Sequence, residues 1–205
     1  MRQVMALLTL LAATTPVTAL SANHEIRPYI AIDGGIGHID IGDTVDEIAA
    51  LVDGSASTSK DETSGVYIIG AGIRLAPHLS LEANYYDLGE YEASVTAEGG
   101  TITDTIAFTG YGVRLFAHWV ITPRWSFDAA LGVARMRAER TTSSPDDRET
   151  TKSRDDTLTL GIGTQYHISD HWTLRTNLLH MNEIGDSSTG RDSVNAATVG
   201  AMLRF

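Results

Sequence analysis

Apolar residues recur at every second position through most of this chain, and a period of two predicts β-strands, because alternate strand residues share a face. The clearest stretch sets Tyr67, Ile69, Ala71, Ile73 and Leu75 against Ile68, Gly70, Gly72 and Arg74. The next sets Leu79, Leu81, Ala83 and Tyr85 against Ser80, Glu82, Asn84 and Tyr86. Four more strands follow the same rule: Tyr111 to Trp119, Trp125 to Val133, Leu158 to Tyr166 and Trp172 to Leu178. The last alternates Val199, Ala201, Leu203 and Phe205 against Thr198, Gly200, Met202 and Arg204. A first strand, about residues 29–41, alternates poorly because Gly34, Gly35 and Gly37 interrupt it. Helix is the competing reading. The abundance of Gly, Thr, Tyr and Ile in these segments, with their period, argues against it.

Eight strands leave seven connections. Three are short: Ala76-Pro77, Val120 to Arg124 and Ser169-Asp170. Four are long and polar, expected at about 42–64, 88–104, 138–156 and 184–193. Short and long alternate strictly, which places all short turns and both termini on one side, as in outer-membrane barrels. Trp119, Trp125 and Trp172 stand beside short turns with the parity of the apolar face, and Tyr166 and Phe205 join them. Amphipathic rings at one level form the interfacial belt of a membrane barrel. A soluble barrel would turn its apolar face inward, with no cause to ring one end with outward Trp.

Residues 1–22 read as a secretory leader: Arg2, then the apolar run Met5 to Ala13, then small residues with cleavage after Ala19 or Ala22. That run falls short of the roughly 20 residues a spanning helix needs. The expected mature domain is therefore residues 23–205. There is no Cys, hence no disulfide and no thiolate chemistry. With 15 Lys+Arg against 26 Asp+Glu, the net charge of −11 argues against nucleic acid as a partner.

The stretches 67–91, 110–139, 158–181 and 199–205, taken in order, resemble the small eight-stranded outer-membrane β-barrel family that includes the OmpA transmembrane domain. The resemblance implies an all-β, antiparallel, up-and-down transmembrane barrel in a Gram-negative outer membrane. It implies outer-membrane lipid and lipopolysaccharide as surroundings, and the barrel-assembly machinery as a partner. The series Val199, Ala201, Leu203, Phe205 would be the assembly signal. A monomer without cofactor or bound metal is expected. The cell-wall tethering of longer relatives is not carried over.

Lumen parity collects Arg74, Glu82, Arg114, Asp128, Arg175 and Arg204. A barrel of eight strands is just wide enough to be filled by side chains, so a plug of ion pairs is expected, with Arg74–Glu82 and Arg114–Asp128 as the pairs. The alternative is a narrow conduit. His78, His118, His167 and His171 share lumen parity near the short turns and form a candidate collar at the rim, able to titrate or bind metal. His167-Ile168-Ser169 has the spacing of a lipid A deacylase pair but enters a short turn. Gly185-Asp186-Ser187 is only an esterase-like fragment. No triad with an oriented base is legible. The first long loop is acidic, with Asp43, Asp46, Glu47, Asp53, Asp61 and Glu62 against Lys60, and Thr44 to Val52 has helical spacing. The expected role is non-enzymatic: envelope integrity with exposed loops for adhesion or host contact. A porin-like channel is the second reading and a lipid A-modifying enzyme the third.

Overall fold

The computed structural model describes residues 27–39, 57–97, 100–144, 148–184 and 192–205. The leader, the helix expected at Thr44 to Val52 and Gly185-Asp186-Ser187 lie outside these residues.

The described residues form nine strands: β1 Arg27–Ile39, β2 Ser57–Asp61, β3 Thr63–Ala76, β4 Leu79–Ala97, β5 Gly100–Val120, β6 Trp125–Ser143, β7 Arg148–His167, β8 Trp172–Ile184 and β9 Asp192–Arg204. All pairings are antiparallel, and the order β4-β3-β1-β9-β8-β7-β6-β5 closes through β4–β5 into a ring of eight. Closure removes the free edges that an open sheet would expose. It depends on the glycine-interrupted first strand, which pairs with β9 from Tyr29↔Arg204 to Ile39↔Val194 and with β3 on its other side. β2 continues the line of β3 past Glu62 and pairs with the upper part of β4.

The short connections hold as expected, at 77–78, 121–124 and 168–171. The long ones need correction. Residues 88–97 and 100–104 are strand, as are 138–143 and 148–156, so two expected loops are extended hairpins. Part of the first loop is strand as well, at Ser57–Asp61. The cause is an inversion of the pattern. Within the apolar band the greasy residues face outward. Beyond it they face inward, with Tyr91, Ala93, Val95, Ile106 and Phe108 buried, while Glu90, Glu92 and Thr96 are turned to solvent.

In β4 the switch is sharpened by a bulge between Asp87 and Glu90. Gly89 sits there at φ 76°, a left-handed conformation in which a side chain is strained. Its N–H donates to Asp87 Oδ1 at 3.1 Å, and the Glu90 N–H donates to Ser64 Oγ at 3.0 Å. One extra residue in a strand flips the parity of everything after it.

β7–β8 pairing stops at Leu158↔Asn182, whereas β6–β7 pairing runs on to Ser143↔Arg148. The strands β2-β4-β5-β6-β7 therefore rise as a wall beyond the rest of the ring.

Candidate functional site

The lumen is filled in layers. Starting from the short-turn end, the first layer joins Tyr29, Ser80, His118 and Asp128. His118 Nε2 lies 2.7 Å from Ser80 Oγ, and His118 Nδ1 lies 2.5 Å from Asp128 Oδ1. The Tyr29 hydroxyl donates to Ser80 Oγ at 3.4 Å. Cross-strand neighbours explain this grouping, since His118 is opposite Asp128 and Ser80 is opposite Phe116. The connectivity is that of a nucleophile, a base and an orienting acid. Ser80, however, is only 1% exposed and lies beneath the Tyr29 hydroxyl.

The second layer is an ionic knot across four strands. Arg175 of β8 donates through Nε to Asp33 Oδ1 at 2.7 Å, through Nη2 to Asp33 Oδ2, and through Nη1 to Glu82 Oε2 at 2.7 Å. Arg114 of β5 donates through Nη2 to Glu82 Oε1 at 3.0 Å and to Asn84 Oδ1 at 2.9 Å. Its guanidinium also stands over the Phe116 ring, 4.8 Å from the centroid. Two acids and two bases cancel, and each carboxylate has a charged donor, which a buried ion set requires. Gly70 faces the Glu82 carboxylate, so a side chain there would displace it.

Above the knot the lumen is apolar. Ile39, Val66, Ile68, Leu88, Phe108, Met136, Met181 and Ile184 pack with their neighbours as one buried cluster. An Asp104–Arg140 pair caps it, with Arg140 Nε 2.7 Å from Asp104 Oδ2.

The expected lumen set is therefore regrouped. Glu82, Arg114 and Arg175 meet, but the pairs Arg74–Glu82 and Arg114–Asp128 do not form. Register puts Arg114 directly opposite Glu82 and His118 opposite Asp128. Arg74 and Arg204 are half-buried at the short-turn rim, where Arg204 donates to the Ser169 carbonyl at 3.0 Å. Asp33 was missed because it lies on the strand with the poorest alternation. An inward carboxylate among glycines was the available signal.

The four histidines lie at the short-turn end but do not gather into one group. His118 is buried, and His78 Nδ1 meets the His118 carbonyl at 3.1 Å. His167 pairs with Thr173 Oγ1 at 3.0 Å, and His171 is exposed in its turn. Among the described residues no three His, Asp or Glu side chains form a group able to hold a metal ion. Ser169, of the His167-Ile168-Ser169 pair, accepts through Oγ from the Trp172 N–H within the turn.

On the outside, Trp119, Trp125, Trp172 and Phe205 project outward near the short turns. Tyr166 packs against Trp125 with ring centroids 4.9 Å apart. Val199, Ala201 and Leu203 share the outward face of β9 with Phe205. A second girdle was not anticipated: Tyr67, Tyr85 and Tyr111 project outward at the other edge of the apolar band, Tyr85 directly opposite Tyr111. Eight residues separate Trp125 from Val133, the last apolar outward residue of β6. That is about 26 Å along the strand and, with strands tilted by about 40°, a band of roughly 20 Å between two aromatic girdles.

Residues 5–205 match the family described as "Outer membrane protein beta-barrel domain". The chain belongs to that family. It is an outer-membrane barrel, with its short turns at one end and its long hairpins at the other. No curated protein matches it by sequence. Solved barrels share the fold at low identity. Ail, the attachment invasion locus protein of Yersinia pestis, is 14% identical with a TM-score of 0.55, covering 89% of this chain and 100% of that one. Neisserial surface protein A is 13% identical with a TM-score of 0.56, covering 87% and 97%. A major outer membrane protein from Thermus thermophilus is 12% identical with a TM-score of 0.56, covering 89% and 100%.

Proposed function

We propose that this protein is a closed, non-conducting barrel that reinforces the outer membrane and holds a β-sheet wall above it for contact with the exterior. One observation carries the reading: the lumen is packed across its width by the ionic knot and, above it, by an apolar cluster. Both oppose the passage of ions, because an ion would have to break paired charges and then cross a greasy layer. The test is single-channel recording of the refolded chain in a planar bilayer. Silence is expected from protein whose folding is shown by heat-modifiable migration. Stable, discrete openings would overturn the reading in favour of the narrow channel.

The exposed wall favours a second role, adhesion or host contact. One structural neighbour is an attachment invasion locus protein, and its solved complex holds a heparin analogue. In this chain the five strands β2-β4-β5-β6-β7 would supply the contact surface. Binding of the refolded chain to host cells, lost when the β6–β7 hairpin is shortened, would support that role, and unchanged binding would remove the wall from it.

The Ser80–His118–Asp128 chain is read as structural. A nucleophile must reach a carbonyl, and Ser80 is sealed beneath Tyr29. A fluorophosphonate probe should leave folded protein unlabelled. Labelling abolished by Ser80→Ala would bring the enzyme reading back.

A further inference from the structure

The outward face of β6 and β7 changes character abruptly at the top of the apolar band. Below it lie Val133, Leu158, Leu160 and Ile162. Directly above stand Arg135, Arg137, Lys152 and Arg154, and the acids that share this face by strand parity are Glu139 and Asp156, while Asp155 and Glu149 have the opposite parity. The protein as a whole carries net charge −11, so a cationic surface here runs against its composition.

Register makes the cluster tighter. Arg135 is opposite Asp156, Glu139 is opposite Lys152, and between these pairs Arg137 is opposite Arg154. Arg135 takes Asp156 in a two-pronged bond at 2.7 and 2.9 Å. Lys152 Nζ sits 3.1 Å from Glu139, which leaves Arg137 at 3.8 Å from the same carboxylate. Among the described residues no carboxylate pairs with Arg154. Two guanidiniums facing each other across antiparallel strands repel, and a sheet has no reason of its own to place them so. The neighbouring outward residues of β5, Thr109 and Ala107, add no charge, and on β8 the nearest outward groups are His180 and Asn182.

An apolar groove lies lower on the outside of the ring, across β6, β7, β8 and β9. Ala129 and Ala197 form its recessed floor, between Leu160, Ile162 and Leu178. Its lining is almost wholly apolar, as a hydrocarbon chain would require.

We propose that Arg137 and Arg154 form a binding site for the phosphorylated headgroup of an outer-leaflet glycolipid whose acyl chains follow the wall beneath. Arginine forks match phosphate oxygens two at a time. A phosphate between the two side chains would convert their repulsion into two charge-assisted contacts. The site depends on the outer-membrane orientation but not on a closed lumen, so a conducting barrel would leave it standing.

The experiment is native mass spectrometry of the detergent-refolded chain with three probes: diphosphoryl lipid A, dephosphorylated lipid A and inorganic phosphate. One diphosphoryl lipid should be retained per barrel, about tenfold more than its dephosphorylated form, the ratio given by roughly 1.4 kcal/mol of charge-assisted bonding. The double variant Arg137→Gln/Arg154→Gln should erase that preference. Both side chains are at the surface, so the variant should still fold, as heat-modifiable migration will show. Equal retention of the two lipids, or a preference unchanged in the double variant, would overturn the site. Displacement of the lipid by millimolar inorganic phosphate would overturn the lipid assignment, leaving a site for the free anion.

Discussion

At the scale of single residues, the sharpest consequences belong to Glu82. Its carboxylate is shared by Arg114 and Arg175, and both guanidiniums are buried. Glu82→Gln leaves them with one carboxylate, Asp33, between them. The expected loss is about 3 kcal/mol, the usual cost of removing one member of a buried ion set. Urea unfolding of the refolded barrel in lipid vesicles measures it, and an unchanged midpoint would mean that the knot is not holding the four strands together. A second residue-scale prediction concerns Asp156, which lies above the apolar band. The Arg135 guanidinium bonded to it holds its carboxyl below the usual carboxylate range. The pair's contribution is therefore complete above the unfolded value of about 4 and is lost as pH falls through the lowered folded value. Between pH 7 and 5, Asp156→Asn and the parent should keep a constant difference in melting temperature, small because the pair is solvent-screened. Below pH 4 the two curves should converge.

Among elements, the hairpin of β6 and β7 is the most instructive. Thr141 and Thr150 are direct partners, with their hydroxyl oxygens 3.3 Å apart. A two-residue Asn-Gly turn joins paired positions of just this kind. Replacing residues 142–149 by Asn-Gly should leave the barrel folded, with a melting temperature within a few degrees of the parent, because none of the described residues in that segment is buried. Loss of folding would show that the hairpin is part of the core rather than a presented surface. Elements are also where sequence reading reached its limit. The spans of β3 to β9 within the apolar band were legible from parity, since lipid on one side and packed lumen on the other impose opposite demands on alternate residues. The upper halves of β4 to β7 were not. Outside the bilayer the demand reverses, and residues such as Glu90, Glu92 and Ser94 read as loop although they are the solvent face of a strand. The bulge at Gly89 hid the change further by shifting parity within β4.

Across the whole molecule, closure joins the first strand to the last, Ile32 beside Ala201 and Asp33 beside Gly200. Contacts of such long sequence separation form late and slowly, so insertion depends on guidance as well as stability. Phe205 separates the two. Its ring is 64% exposed, and its N–H donates to the Pro28 carbonyl at 3.0 Å, a bond that any residue there makes. Phe205→Ala should therefore leave the melting temperature of refolded protein nearly unchanged while lowering the amount assembled into the outer membrane of living cells. If both fall together, the ring is structural. If neither falls, the C-terminal series is not read as a signal.

Read alone, the sequence determined the fold class, the gathering of the short turns at one end and the aromatic belt beside them. Each follows from local alternation and the order of short connections, which need no knowledge of what lies opposite. It also marked Glu82, Arg114, Asp128 and Arg175 as lumen residues. Only the tertiary structure decided who pairs with whom. Asp33 entered the knot, Asp128 went to His118, Arg74 and Arg204 stayed at the rim, and Arg137 met Arg154. The physical reason is register. Parity assigns a residue to a face, whereas its neighbour across the strand depends on how far each strand slides along the next, and that is set by closure of the whole ring.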